Sequence, residues 1–158
     1  MAELTQSEID ALIALLKKYP YLCSAGSDSL GPLSGPPTTE GDTETKDVQL
    51  YETEGNVEAS YLTKNNVRLT IKTRNVDKGM ALMAAIAKGD NLLASTREVS
   101  ITLVPITSAQ NEKTITFAHA YLQPGLKFSP GENGDPSEVE LTYICKADAT
   151  TGKPFTYA

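Results

Sequence analysis

The hydrophobic rhythm of this 158-residue chain changes twice, and the changes divide it. Near the N-terminus Ile9, Leu12, Ile13, Leu16 and Tyr19 recur at helical spacing and make one apolar stripe. Thr5 and Glu8 have the capping-box spacing, Lys17 and Lys18 suit the negative end of the helix dipole, and Pro20 stops the helix. A short helix with one apolar side is marginal alone, so it must dock, on its own core by preference or else on a neighbouring molecule. From Ser24 to Asp47 the composition turns to Ser, Gly, Pro, Thr and acids, with Ala25, Leu30 and Leu33 the only aliphatic side chains. That stretch cannot bury enough to fold by itself and predicts an extended, flexible arm. Its deletion is expected to leave the rest folded while weakening contacts between molecules.

After the arm the period falls to two. Val48 and Leu50, then Val57, Ala59 and Tyr61, flank a Gly55-Asn56 turn. From Val67 to Thr73 the apolar Val67, Leu69 and Ile71 alternate with Arg68, Thr70 and Lys72, one dry face and one wet face, as in antiparallel sheets. A helix interrupts the strands: Asn75 is a suitable N-cap, Asp77 sits in the first turn, Val76, Met80, Met83 and Ile86 or Ala87 share a face, and Gly89 closes it. Three further strands are predicted over Glu98 to Val104, Thr114 to Leu122 and Glu138 to Ala147, with a turn-rich loop from Pro124 to Ser137. Strands do not alternate regularly with helices, which disfavours a doubly wound α/β fold. The expectation is a mainly β (α+β) chain: residues 1–47 a helix and flexible acidic arm, residues 48–158 an antiparallel β-sandwich or rolled barrel with one flanking helix.

Charge and composition narrow the function. Met1 to Asp47 carries eight acids and three bases, whereas Val48 to Ala158 carries twelve acids and eleven bases, so most of the net charge of −6 lies in the leader. No basic stripe is available for phosphates, and nucleic-acid binding loses its main electrostatic term. Two cysteines, Cys23 and Cys145, are too few for a disulfide scaffold and read as a reduced pair. The acidic start and an apolar run of six residues, Ala11 to Leu16, predict neither a leader peptide nor a membrane span.

Little points to chemistry. His119, in register with Ile115, Phe117 and Tyr121, lacks a nucleophile or orienting carboxylate nearby in sequence and reads as a satisfied strand histidine. Cys23, Cys145 and His119 fit no zinc spacing. Gly152-Lys153 fails as a phosphate loop, because Ala147 stands where Gly is needed and Pro154 where Ser or Thr is needed. Glu40, Asp42 and Glu44 read as solvated charge rather than a cation site. No catalytic, cofactor or metal residue is therefore expected, and no enzyme. With no Trp, three Phe and seven Tyr, a glycan-stacking platform on a host-surface binding module is a minor alternative.

What remains is assembly. In Thr114 to Leu122 the outer side turns from Thr116 to Ala118, Ala120 and Leu122, and in the last strand Glu138, Glu140, Thr142, Ile144 and Lys146 likewise become partly apolar, so faces look covered by a sandwich interior or by neighbours. The segment Asn66-Val67-Arg68-Leu69-Thr70-Ile71-Lys72, the helix Met80 to Lys88 and the closing Glu138-Val139-Glu140-Leu141-Thr142-Tyr143, followed by Asp148 and Gly152-Lys153-Pro154-Phe155, resemble the tail tube (major tail) proteins of bacteriophages and the inner-tube proteins of contractile injection systems. The resemblance covers Val48 to Tyr157. It implies a structural virion protein whose copies form hexameric rings, join sheets edge to edge and stack into a tube with other tail proteins as partners. DNA is then passing cargo, and the protein is made in the host bacterial cytoplasm. A tail terminator or head–tail joining protein is the related alternative.

Overall fold

A computed structural model describes residue 3 and residues 5–10, 21–31, 33–105, 113–134 and 136–158. Within these, nine strands belong to one antiparallel sheet: β1 (Tyr21–Ala25), β2 (Asp28–Ser29), β3 (Thr38–Gln49), β4 (Val57–Thr73), β5 (Val99–Pro105), β6 (Ile115–Leu122), β7 (Lys127–Ser129), β8 (Glu138–Cys145) and β9 (Thr156–Tyr157). The order across the sheet is β2-β1-β5-β6-β8-β4-β3, with β7 on β8 and β9 on β6. One helix, α1 (Val76–Ala84), lies between β4 and β5.

The alternating strands place their apolar residues on one shared face. β8 buries Val139, Leu141, Tyr143 and Cys145 and leaves the residues between them half-buried. Its neighbour β4 sets Leu69 opposite Tyr143 and Ile71 opposite Leu141, and Ile101, Leu103 and Phe117 complete the same core from β5 and β6. The sheet curls until its two ends meet. Leu30, fully buried, donates its N–H to the carbonyl of Cys23 in β1 while its own carbonyl accepts the hydroxyl of Thr73 at the end of β4. Leu33 also bridges to Thr73. This is the rolled, mainly β architecture expected.

Helix α1 lies over the core-facing side of β8. Asn75 caps it by accepting the N–H of Lys78, as expected, and Lys78 reaches Asp28 of β2 at 2.8 Å. Gly79 is the contact point: an added Cβ would lie 3.0 Å from Cβ of Val139, so only a residue without a side chain lets the helix come this close. The helix ends at Ala84, and Gly89, with φ +92°, falls in the turn beyond it.

Three expectations are corrected. Ser24 to Asp47 is not a free arm: it contains the end of β1, all of β2 and most of β3, and it supplies Ala25 and Leu30 to the core. The boundary at Asp47/Val48 therefore falls inside a strand, and deleting Ser24 to Asp47 would remove core rather than spare it. The segments 57–61 and 67–73 are one continuous strand of 17 residues. The loop from Pro124 to Ser137 contains β7. At the N-terminus the Thr5–Glu8 capping box forms, with the Thr5 N–H donating to Glu8 at 2.7 Å and the Glu8 N–H to Thr5 at 3.2 Å. Residues 6–10 are helical, and the rest of the predicted stripe, Leu12, Ile13, Leu16 and Tyr19, lies outside the described residues.

Candidate assembly interface

The most unusual element is a ribbon. β3 pairs with β4 along its whole length, from Thr38↔Thr70 to Gln49↔Val57, whereas β8 covers β4 only from Val67 to Thr73. Residues 42–49 and 57–66 therefore run past the rest of the sheet as two strands with none beside them among the described residues. None of their side chains is buried. Lys46, Val48, Ala59 and Tyr61 share one side by register; Thr45, Asp47, Ser60 and Leu62 share the other. Two irregularities, at Glu44/Thr45 and Val48/Gln49, fit the twist that two-stranded ribbons take.

Polar pairing holds the ribbon in place of a core. Lys64 reaches Asp42 at 3.1 Å and Glu44 at 3.9 Å, so two of the three acids expected to be solvated charge have a cation from the facing strand. Ser60 donates its hydroxyl to Asp47 at 2.7 Å, and the Thr63 hydroxyl donates to the carbonyl of Glu44 at 3.1 Å. At the tip, Glu54 (φ 59°) and Gly55 (φ 77°) reverse the chain after a short helical turn at Tyr51–Thr53. Tyr51 is 95% exposed there, beside the exposed Leu50 and Val57. Residues 40–64 hold seven acids and two bases, a net −5 out of −6 for the chain. An acidic ribbon carrying Val48, Leu50, Tyr51, Val57, Tyr61 and Leu62 in the open has the composition of a contact surface.

At the root of the ribbon the chain after β8 folds into a tight turn. Gly152 donates its N–H to the Asp148 carbonyl at 2.8 Å, and Asp148 returns its N–H to Lys153 at 3.0 Å. The side chain of Asn65 donates to the Gly152 carbonyl at 3.0 Å, which ties this turn to the ribbon. Between them lies a cleft of about 650 Å³ walled by Gly41, Thr43, Asn65 and Asn66 on the ribbon side and by Lys153–Tyr157 on the other, with Val67 between. Phe155 stands in it, half-exposed, its ring 6.2 Å from that of core Phe117. The turn is no phosphate cradle, because the N–H groups of Thr150 and Thr151 are already given to the Asp148 carboxylate.

His119 meets partners that the sequence does not announce. An extra residue in β6, between Phe117↔Ile101 and Ala120↔Val99, breaks the expected alternation, so that Phe117 and Ala120 both face the core. His119 then lies between two carboxylates, Nδ1 2.9 Å from Glu98 and Nε2 3.2 Å from Asp148. Asp148 first and Glu98 second raise its pKa above 6.5 by accepting hydrogen bonds from the ring. Glu98 is lowered by the Tyr121 hydroxyl, which donates to it at 2.7 Å, and then by His119. Asp148 is lowered by the Thr150 N–H, then by His119 and the Thr151 N–H. With both nitrogens engaged, the ring is a structural clasp and has no free lone pair to act as a base.

Cys23 and Cys145 are both buried free thiols, and burial pushes each up to about 12. Among the described residues no group of three His, Cys, Asp or Glu side chains is arranged to hold a metal ion, and no helix is long and apolar enough to cross a membrane.

The rolled antiparallel sheet is a fold shared with chains of solved tail assemblies. The chain is similar in fold to a chain of the extracellular contractile injection system PVC sheath–tube complex in the extended state, with 13% identity, TM-score 0.63, and 99% of this chain and 100% of that one covered. It is similar also to a chain of the anti-feeding prophage tube-terminating cap, with 10% identity, TM-score 0.60, and coverage of 100% and 94%. A third similarity is to a chain of the native gene transfer agent virion, with 12% identity, TM-score 0.52, and coverage of 87% and 95%. No protein-family model matches the sequence, and no curated protein matches it. The resemblance read from the sequence is thus borne out in the fold.

Proposed function

We propose that this chain is a structural subunit of a phage-type tail or contractile injection tube, whose copies form six-membered rings that stack around a channel. Nucleic acid or effector crosses that channel as cargo, other tail proteins cap the stack, and the particle is assembled in the bacterial cytoplasm. The ribbon carries this reading: ten residues of β4 and eight of β3 are ordered with no core of their own and display apolar side chains to solvent. Such a surface in a lone monomer is a liability, and becomes an adhesive when neighbours cover it around a closed ring. One of the similar chains comes from a gene transfer agent tail described with C6 symmetry, which supports the sixfold count.

Negative-stain microscopy and light scattering on the concentrated protein test it. Rings and tubes are expected. An Asn-Gly turn joining Glu44 to Lys64 in place of residues 45–63 removes no buried side chain among the described residues, so it is expected to leave the thermal midpoint in place while abolishing rings. Rings that never stack would mark the chain as a terminator. A monomer at every concentration and salt would overturn the proposal.

A further inference from the structure

We propose that His119 is a pH-operated latch: charged, its ring holds Asp148 and with it the C-terminal segment 148–158 against β6, and neutral, it lets Asp148 go. The device lies within one copy and does not depend on assembly.

Two contacts require two protons. The ring meets Oε1 of Glu98 from Nδ1 at 2.9 Å and Oδ2 of Asp148 from Nε2 at 3.2 Å. An ionised carboxylate only accepts, so both contacts need an N–H, and only the imidazolium has two. The neutral ring carries one, and its other nitrogen then sets a lone pair against a carboxylate oxygen. One contact must part.

Asp148 is the one that parts. Glu98 stands where β5 begins, takes the shorter contact, and is held from its second oxygen by the Tyr121 hydroxyl at 2.7 Å, on the same strand as His119. Asp148 lies on the turn after β8, and its other oxygen, Oδ1, already accepts the N–H groups of Thr150 and Thr151. Losing the ring leaves those internal bonds intact and frees the turn as a unit. Its hinge is Lys146, whose N–H donates to the His119 carbonyl at 2.8 Å, a backbone bond that the charge of the ring does not enter. Beyond the hinge the turn leads to Phe155 and β9, and the bond from Asn65 to the Gly152 carbonyl makes it a brace for the root of the ribbon.

The other charged groups nearby are committed or turned to solvent. Arg97, next to Glu98, is paired with Asp90 at 2.6 Å; the Lys146 ammonium lies 5.5 Å from the centre of the Tyr121 ring; Lys153 is exposed. Among the described residues His119 is therefore the one cation that Glu98 and Asp148 share. Asp148 first and Glu98 second hold its pKa above 6.5, so the latch is shut below about 6.5 and opens as pH climbs through the raised value.

Hydrogen exchange of the full chain read by mass spectrometry from about pH 5.5 to 9, normalised for intrinsic rates and kept in one assembly state as checked by light scattering, tests the latch. Protection of 148–158 should fall roughly three- to tenfold in one step, modest because the ring is half-exposed, while 139–145 in β8 stays constant. His119→Gln has no proton to lose in this range and should show the low protection at every pH. Glu98→Gln offers the bare Nδ1 an amide donor, leaves the ring proton for Asp148, and should keep the segment protected throughout. Unchanged thermal midpoints show that the variants fold. A flat wild-type profile, a step that survives His119→Gln, or a loss in Glu98→Gln equal to that of the wild type would each overturn the latch.

Discussion

Replacing Gly79 by Ala sets two effects of opposite sign against each other. In the interior of a solvated helix the change stabilises by about 1 kcal/mol, because glycine loses more backbone entropy on folding. In α1 the new Cβ would lie 3.0 Å from Cβ and 3.2 Å from Cγ1 of Val139, and 3.3 Å from Cγ2 of Thr73. Carbon atoms rest at about 3.5–4.0 Å. The Val139 Cβ cannot rotate away, since it is fixed by the backbone of β8, so the helix must retreat from the sheet and loosen the packing of Val76, Met80, Leu82 and Met83 against the core. Overpacking of this kind costs roughly 1–3 kcal/mol. The net expectation is a loss of about 1 kcal/mol, or a fall of roughly 2–4 °C in the thermal midpoint for a chain of this size. Urea unfolding of the ribbon-shortened monomer measures it, with Ala81→Gly, an exposed position of the same helix, calibrating the propensity at a loss of about 1 kcal/mol. Gly79→Ala found more stable than the parent by a similar amount would refute the close approach of α1 to β8.

Thr73→Val keeps the shape of a fully buried side chain but removes the hydroxyl that donates to the Leu30 carbonyl and accepts the Asn75 N–H at 3.0 Å. A loss of about 1–3 kcal/mol is expected in urea melts, with Thr73→Ser milder, and a neutral result would show that the seam between the two sheet ends does not depend on this bond. His119 is the only histidine, so its ring resonances titrate without overlap, and their midpoint should lie above 6.5 and fall in Asp148→Asn and Glu98→Gln. Because the folded pKa is raised, the stabilisation is complete below about 6.5 and is lost as pH climbs through the folded value. Glu98 and Asp148 are lowered from 4.5 and 3.8, so their share fades only as pH falls below those values, and a midpoint at or below 6.5 would contradict the clasp.

How much of this was legible depends on which faces were buried. Val67–Thr73, β5 and β8 could be read because each has one wet and one dry side, and the two-residue period records that difference. β3 could not: Thr-Thr-Glu-Gly-Asp-Thr-Glu-Thr-Lys-Asp-Val-Gln is exposed on both faces along nearly its whole length, so nothing in the sequence oscillates. β1 is short, and Cys23 and Ala25 are small residues in a Ser- and Gly-rich setting, so its inward face gives a weak signal. In β6 the extra residue shifts the phase after Phe117, which no count of alternation anticipates. The partners of His119 stand 21 residues before it and 29 after it, brought together by the register of β5, β6 and β8 rather than by any motif. The ribbon root has a similar origin, since Asn65 and Gly152 meet only because β4 and β8 are neighbours.

The charge on the ribbon also limits how copies can meet. Among the described residues β3 is the outermost strand at its end of the sheet, and an edge with no strand beside it invites pairing with the same strand of a second molecule. An antiparallel β3–β3 pair would bring the Glu40, Asp42 and Glu44 sides of both copies together, with Lys64 already held by two of these acids and Arg68, the register partner of Glu40, and Lys46 to offset the rest. Like charges placed across strands destabilise such a ladder, so the excess acids of the ribbon count against a two-fold β3–β3 pair. Head-to-tail association, in which unlike surfaces meet, does not set these acids against each other, and it is the kind of contact that the proposed ring requires.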